Sequence, residues 1–325
     1  MNAKSLVMAT ILLGLGFTLA AEAQAPVPGE PGLLVWLKAE DGVLNQSGQP
    51  AQPGQMTGDW LNNSGHNDAK YVKGSMSLEV ANFGTPAADH KVVHFNGDGY
   101  YAFRGDPNAP DPNVLHKTVA TVIVVAKIDQ TNVLARNMYF SCYYADEGKE
   151  SGWTAEFLNN GLLVMFTGCG TPGSAQTWVA DKVASQGYHI VTHRVDLAHQ
   201  FKAINCDGVE MGRATMSCLE VHPGAVPVLG GIWLNADFGI PDDIDIAEYI
   251  IYDRATIEVK DRIESYLSQK YGIPIAPKAC GDHGYLSGDI NKDCVVNMQD
   301  FADVAATWLQ CTNPNEAGCV VVELP

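Results

Sequence analysis

The sequence predicts an all-β fold: a two-sheet jelly-roll sandwich with one C-terminal helix packed on it, followed by a small loop-helix tail. Three observations carry this. Turn formers are frequent, with 32 Gly and 17 Pro in 325 residues. Short apolar runs alternate with turn clusters from Leu33 to about Tyr252, without helical periodicity between them. One amphipathic helix then follows, and cysteines crowd the residues beyond it. At 46% hydrophobic and 18% charged, the chain is globular. The formal charge of −17 argues against nucleic acid, whose recognition needs a clustered basic surface, and against anionic membrane surfaces.

The elements follow in order. Residues 1–23 read as a signal peptide: Lys4 is the basic start, Leu6 to Ala21 the apolar stretch, and Ala21-Glu22-Ala23 the small-residue cleavage site. Gly14, Gly16 and Thr18 dilute a segment already short for a membrane span. The expectation is a secreted or cell-surface protein with no membrane insertion. Residues 24–32 read as a linker, and 33–274 as the sandwich. Its clearest strands are Leu33–Ala39, Val92–Phe95, Tyr100–Phe103, Val119–Ile128, Met138–Tyr144, Leu162–Phe166, Tyr188–Val195 and Ile244–Tyr252. Asn96-Gly97-Asp98-Gly99, Asn159-Asn160-Gly161 and Asp207-Gly208 read as hairpin turns, because these residues tolerate positive φ. The helix spans Thr256 to Tyr271, with Val259, Ile263, Tyr266, Leu267 and Tyr271 on one face and Glu258 and Arg262 on the exposed side; Gly272 and Pro274 end it. Residues 275–280 form a second linker and 281–325 a Cys-rich module.

Export makes disulfides the first reading of the eight cysteines, with no free thiol left over. Cys142, Cys169, Cys206 and Cys218 lie in the body; Cys280, Cys294, Cys311 and Cys319 staple a tail too short to bury much core. The absence of any CxxC argues against zinc or thioredoxin-type chemistry.

The strongest motif is Gly288-Asp289-Ile290-Asn291-Lys292-Asp293-Cys294-Val295-Val296-Asn297-Met298-Gln299-Asp300. Asp289, Asn291, Asp293, Asn297 and Asp300 place side-chain oxygens at loop positions 1, 3, 5, 9 and 12, and Val295 offers its carbonyl at position 7, the spacing that wraps calcium. Aspartate at position 12 reaches less far than glutamate, which suits a static structural site. A helix from Phe301 to Leu309 should follow, with Phe301, Val304, Ala305, Trp308 and Leu309 on one face. The segment resembles the calcium-binding repeat of dockerin modules, GDxNxDGxVNxxD before a helix, over Gly288 to Leu309. The resemblance implies calcium as ligand and a cohesin-like partner. Two departures stand out: Cys294 replaces the glycine of position 6, and one repeat is visible where cohesin-binding dockerins pair two.

The body also carries a resemblance. Leu33-Leu34-Val35-Trp36-Leu37-Lys38-Ala39, Asp59-Trp60-Leu61-Asn62-Asn63-Ser64-Gly65-His66, Val93-His94-Phe95-Asn96-Gly97-Asp98-Gly99-Tyr100-Tyr101 and Asp245-Ile246-Ala247-Glu248-Tyr249-Ile250-Ile251-Tyr252 together look like the laminin-G-like jelly rolls of the concanavalin A-like lectin/glucanase superfamily. That implies a sandwich used for glycan or protein recognition, with a glycan or cell-surface partner, and no particular activity. Laminarinase-type glycoside hydrolases of the same superfamily carry Glu-x-Asp-x-x-Glu, whose carboxylates act across about 5 Å. The corresponding residues here are Asp243 at the nucleophile position, Asp245, and Glu248 as acid/base. The main reading is a non-enzymatic carbohydrate- or surface-binding protein; hydrolysis of β-glucans and a purely structural extracellular role are the alternatives. Asp237, Asp242, Asp243 and Asp245 read either as a second calcium loop or as solvated charge.

Other patterns carry little. Gly168-Cys169-Gly170-Thr171-Pro172-Gly173 spells a dinucleotide fingerprint, but Pro172 and the missing helix exclude it. His189 and His193, four apart in a strand, sit about 13 Å from each other, too far to share a metal. Trp36 and Trp233 belong to apolar runs, whereas Trp60, Trp153 and Trp178 lie near polar turns and could stack on a pyranose.

Overall fold

The computed structural model describes residues 23–84, 89–103, 114–128, 136–146, 149–158, 160–172, 176–234, 237–241, 243–278 and 287–307. The signal-peptide reading, and the tail cysteines other than Cys294, lie outside them. No helix among the described residues is long and apolar enough to cross a membrane.

Among the described residues nineteen strands precede the first helix. In chain order they are β1 (Leu33–Lys38), β2 (Val43–Asn45), β3 (Thr57–Trp60), β4 (Lys70–Lys73), β5 (Ser77–Ala81), β6 (His90–Asn96), β7 (Tyr100–Ala102) and β8 (Val119–Ile128). There follow β9 (Arg136–Asp146), β10 (Lys149–Leu158), β11 (Leu162–Pro172), β12 (Gln176–Val183), β13 (Gly187–Asp196), β14 (Phe201–Cys206) and β15 (Val209–Thr215). Last come β16 (Val226–Leu229), β17 (Gly231–Leu234), β18 (Asp237–Pro241) and β19 (Asp243–Tyr252), then the helices α1 (Ile257–Tyr271) and α2 (Met298–Thr307).

They build the sandwich. The eight-stranded sheet runs β15-β14-β13-β8-β19-β6-β5, with β1 sharing the β6 edge of β19. The seven-stranded sheet runs β12-β11-β10-β9-β16-β7-β4. Every pairing is antiparallel, and the expected all-β class is what forms.

Alternation explains why β8 sits at the centre. Val122, Val124 and Ala126 point between the sheets, while Ile123 and Val125 point to the other face, which α1 covers. A strand buried on both sides reads as one apolar run. Helix α1 stops at Gly272 as expected, left-handed at φ 66°, and at its start Thr256 is the cap and not the first helical residue, its hydroxyl accepting from the Val259 amide. Its Ile263, Leu267 and Tyr271 are fully buried on the sheet, each contributing about 2 kcal/mol.

Several expectations need correction. Arg262 is not free on the exposed side of α1, because it grips Glu30 at 2.5 Å, and Tyr252 donates to the same carboxylate. The 24–32 segment is thereby docked against α1. Residues 275–278 are docked too, through Ala276 N to Asp207 O and Lys278 to Asp261. Asp207-Gly208 does close a hairpin, β14 to β15, but Asn96–Gly99 carries the chain from one sheet to the other. In the body Cys169 pairs with Cys218, whereas Cys142 and Cys206 are buried free thiols. They sit in the hydrophobic core as small apolar residues, and burial pushes both thiols well up.

Candidate metal centre and the carboxylates of the last strand

Residues 289–300 form a tight loop opening α2. The Asp289 carboxylate accepts the amides of Asp293 (3.1 Å) and Cys294 (2.9 Å), so the chain curls around it. The Asp293 carboxylate accepts from Val295 N, and Asn291 Oδ1 from Asp293 N. At the far end Asp300 accepts the amides of Ile290 (2.7 Å), Asn291 (3.3 Å) and Asn297 (2.8 Å). These amides, Asn297 first, hold its carboxyl below the usual carboxylate range. Lys292 and Cys294 both take positive φ, 61° and 70°. Cys294 thus occupies the left-handed position where glycine is least strained, at a cost of about 1 kcal/mol. It is disulfide-bonded, and its partner lies outside the described residues. One twelve-residue loop carries five oxygen side chains and the Val295 carbonyl, with Asp289 and Asp300 buried; oxygen donors of this kind suit a hard cation, although the carboxylates of Asp289, Asp293 and Asp300 do not gather within 4.8 Å of one another. Helix α2 begins at Met298 instead of Phe301, and Met298, Phe301 and Val304 are exposed.

On β19 the register slips between Ile246 and Glu248, a bulge that puts Asp245 and Glu248 on the same face. That face lies under α1. Glu248 is completely buried and accepts four donors: Trp36 Nε1 (2.7 Å), Tyr266 OH (3.1 Å), Lys270 Nζ (2.5 Å) and Tyr271 OH (2.9 Å). A carboxylate enclosed in this way cannot reach a glycosidic oxygen, so the acid/base role considered for it does not fit. Asp245 accepts from Tyr188 OH at 2.6 Å and pairs with His94 at 2.7 Å. Burial opposes its charge, but those two bonds prevail and lower its pKa, while the same contact raises that of His94. Asp243 is exposed. The side chains of Asp237 and Asp242 lie outside the described residues, so the second calcium loop retains only Asp243 and Asp245, the latter already engaged.

Two of the three tryptophans considered for sugar stacking are sealed in the core, and the third is half-buried. Trp60 and Trp153 are core residues, 0% and 1% exposed, and Trp178 packs against the core. His189 and His193 behave differently from each other: His193 is sealed in the core, its pKa pushed down to about 3, whereas His189 joins Asp207 at 2.6 Å. Ser185 Oγ is 3.2 Å from His189 Nε2, which superficially resembles a nucleophile triad. The same nitrogen also meets the Ser185 carbonyl at 2.9 Å, so it carries a proton and cannot take one from the hydroxyl. The ring is a clamp between two turns.

Sequence reading passed over a cavity of about 570 Å³ between the β14–β15 hairpin, α1 and residues 275–278. Asn205 lies at its base, 3% exposed, with Oδ1 unbonded among the described residues. Nothing in the mixed sequence around Asn205 signals a site; only the fold brings these segments together.

No family model matches the sequence, and no curated protein matches it. Among solved structures it is similar to the carbohydrate-binding module (CBM40) of Ruminococcus gnavus IT-sialidase bound to α2,3-sialyllactose. Identity is 14% over 53% of this chain and 92% of that one, with a TM-score of 0.43. It is also similar to Trypanosoma rangeli sialidase (11%, 73% of this chain and 33% of that one, TM-score 0.47). A third is the binding domain of botulinum neurotoxin DC in complex with rat synaptotagmin II (12%, 74% and 52%, TM-score 0.46). These are distant likenesses, and no site is carried over from them.

Proposed function

We propose that the protein is an exported, non-catalytic binding protein: a β-sandwich that recognises a carbohydrate or surface ligand, with a calcium-stabilised, dockerin-like tail. The observation that carries the tail reading is the 289–300 loop, where Asp289 and Asp300 are buried and Cys294 supplies the left-handed turn. Asp289, Asn291, Asp293, the Val295 carbonyl, Asn297 and Asp300 would hold the ion. Calcium would supply positive charge against three aspartates crowded into one loop. With a single loop, the tail's role is stabilisation, and we assign it no cohesin partner. For the sandwich, the enclosure of Glu248 favours binding over hydrolysis.

Titration calorimetry on the full chain should find one calcium per molecule, and Asp289→Ala should abolish it. A glycan array should return ligands, while laminarin and lichenan release no reducing ends. Turnover lost in Glu248→Gln would instead make the protein a glycoside hydrolase.

A further inference from the structure

The cavity beside α1 has the size of a small-ligand site, about 570 Å³. It combines three features. Its first is unmet hydrogen bonding. Asn205 presents a buried, unbonded Oδ1, and such an acceptor is costly unless something pairs with it. Next to the cavity, Arg194 is 2% exposed; Nη1 reaches Ala255 O at 3.4 Å, but Nε and Nη2 hydrogen-bond to nothing among the described residues.

The second feature is charge. Lys260 is bonded to Asp261 and Glu264, Lys278 to Asp261, and Arg213 to Glu210. Those contacts engage the three carboxylates of the wall. Among the described residues, the one carboxylate in contact with Arg194 is Glu210 at 3.7 Å, already held by Arg213, and Lys182 donates to the Glu210 backbone carbonyl. The cavity therefore keeps surplus positive charge inside a chain whose formal charge is −17. The third feature is an apolar strip, Val209, Ile257 and Ile275, beside these polar groups.

A ligand that meets all three has an anionic group, a hydroxyl to donate, and a ring with an apolar face. We infer that this cavity binds a carboxylated sugar, a uronic-acid type unit. Its carboxylate lies toward Arg213 and Lys182, a hydroxyl donates to Asn205 Oδ1, and the ring rests on the apolar strip. The inference rests on the reading of the sandwich as a glycan binder, and gives that reading a place and a ligand class. Hydroxyls both donate and accept, which is why a wall of mixed lysines and carboxylates suits a sugar better than a bare carboxylic acid.

The test is calorimetry on the full chain with trigalacturonic acid, its methyl ester and acetate. The acid should bind, the ester at least tenfold more weakly, and acetate without saturation. Asn205→Leu and Arg213→Ala should each weaken the acid at least fivefold while leaving calcium binding and the melting temperature unchanged. Should Asn205→Leu fail to fold, Arg213→Ala decides, since that side chain is 46% exposed. Equal affinity for acid and ester, no uronate binding, or parent-like affinity in Arg213→Ala overturns the proposal. Array binding of other glycans that ignores Arg213→Ala removes the cavity but keeps the broader reading; silence across the whole array removes both.

Discussion

Glu248 shows how one side chain can mislead a sequence reading. In the linear pattern it completes a catalytic-looking triplet with Asp243 and Asp245; in the fold it is the anchor that fastens α1 and β1 to β19. Its removal takes away the carboxylate to which the Trp36 indole and the Tyr266 hydroxyl donate. Glu248→Ala should therefore lower the unfolding free energy by about 3 kcal/mol in urea titrations, and Glu248→Gln by less. Lys202 makes the opposite case. It is 2% exposed on β14, its ammonium donates to Thr167 Oγ1 across the sandwich at 3.0 Å, and burial pushes its pKa down to about 8. A base whose folded pKa lies below its unfolded value binds fewer protons when folded, so stability rises with pH from about 8 to 10.5. Lys202→Met should abolish that rise and gain about 1 kcal/mol at neutral pH, read from denaturation curves at several pH values.

At the scale of elements, strands buried on both faces were legible. Val119–Ile128 was read to the residue because β8 is apolar throughout. Two of the strands that sequence patterning does not show bury polar groups. Strand β10 encloses Thr154 and Glu156, and β14 encloses Lys202 and Asn205, so neither shows a clean apolar run. The helix was legible because its apolar stripe and terminal glycine agree. Partner choice was not: Asn96–Gly99 has turn chemistry, but nothing local says that the strands on either side belong to different sheets. Pairing of the cysteines was equally hidden, since Cys169 and Cys218 are 49 residues apart. That bridge fastens the end of β11 to the segment before β16. Replacing both cysteines by alanine should cost about 2–4 kcal/mol, measured by urea unfolding, because the unfolded chain regains the freedom of a long loop.

The whole molecule joins two kinds of stability. The sandwich buries aromatic and aliphatic side chains between its sheets and under α1, and its ion pairs are incidental to that core. The 287–307 segment has little of this: Val295, Val296, Met298 and Phe301 are more than half exposed, and its order comes from carboxylates accepting backbone amides. Such bonds stabilise each carboxylate singly but add no full positive charge among Asp289, Asp293 and Asp300, whereas a divalent cation would. A ligand that binds only the folded loop stabilises it by about 2.7 kcal/mol at a hundredfold excess over its dissociation constant. Scanning calorimetry of the full chain should therefore show two transitions, of which only the smaller moves upward with calcium and downward with chelator. Asp289→Ala should freeze the smaller transition at its chelated position and leave the larger one untouched. Movement of the sandwich transition by calcium in that variant would place the ion in the body and not in the tail.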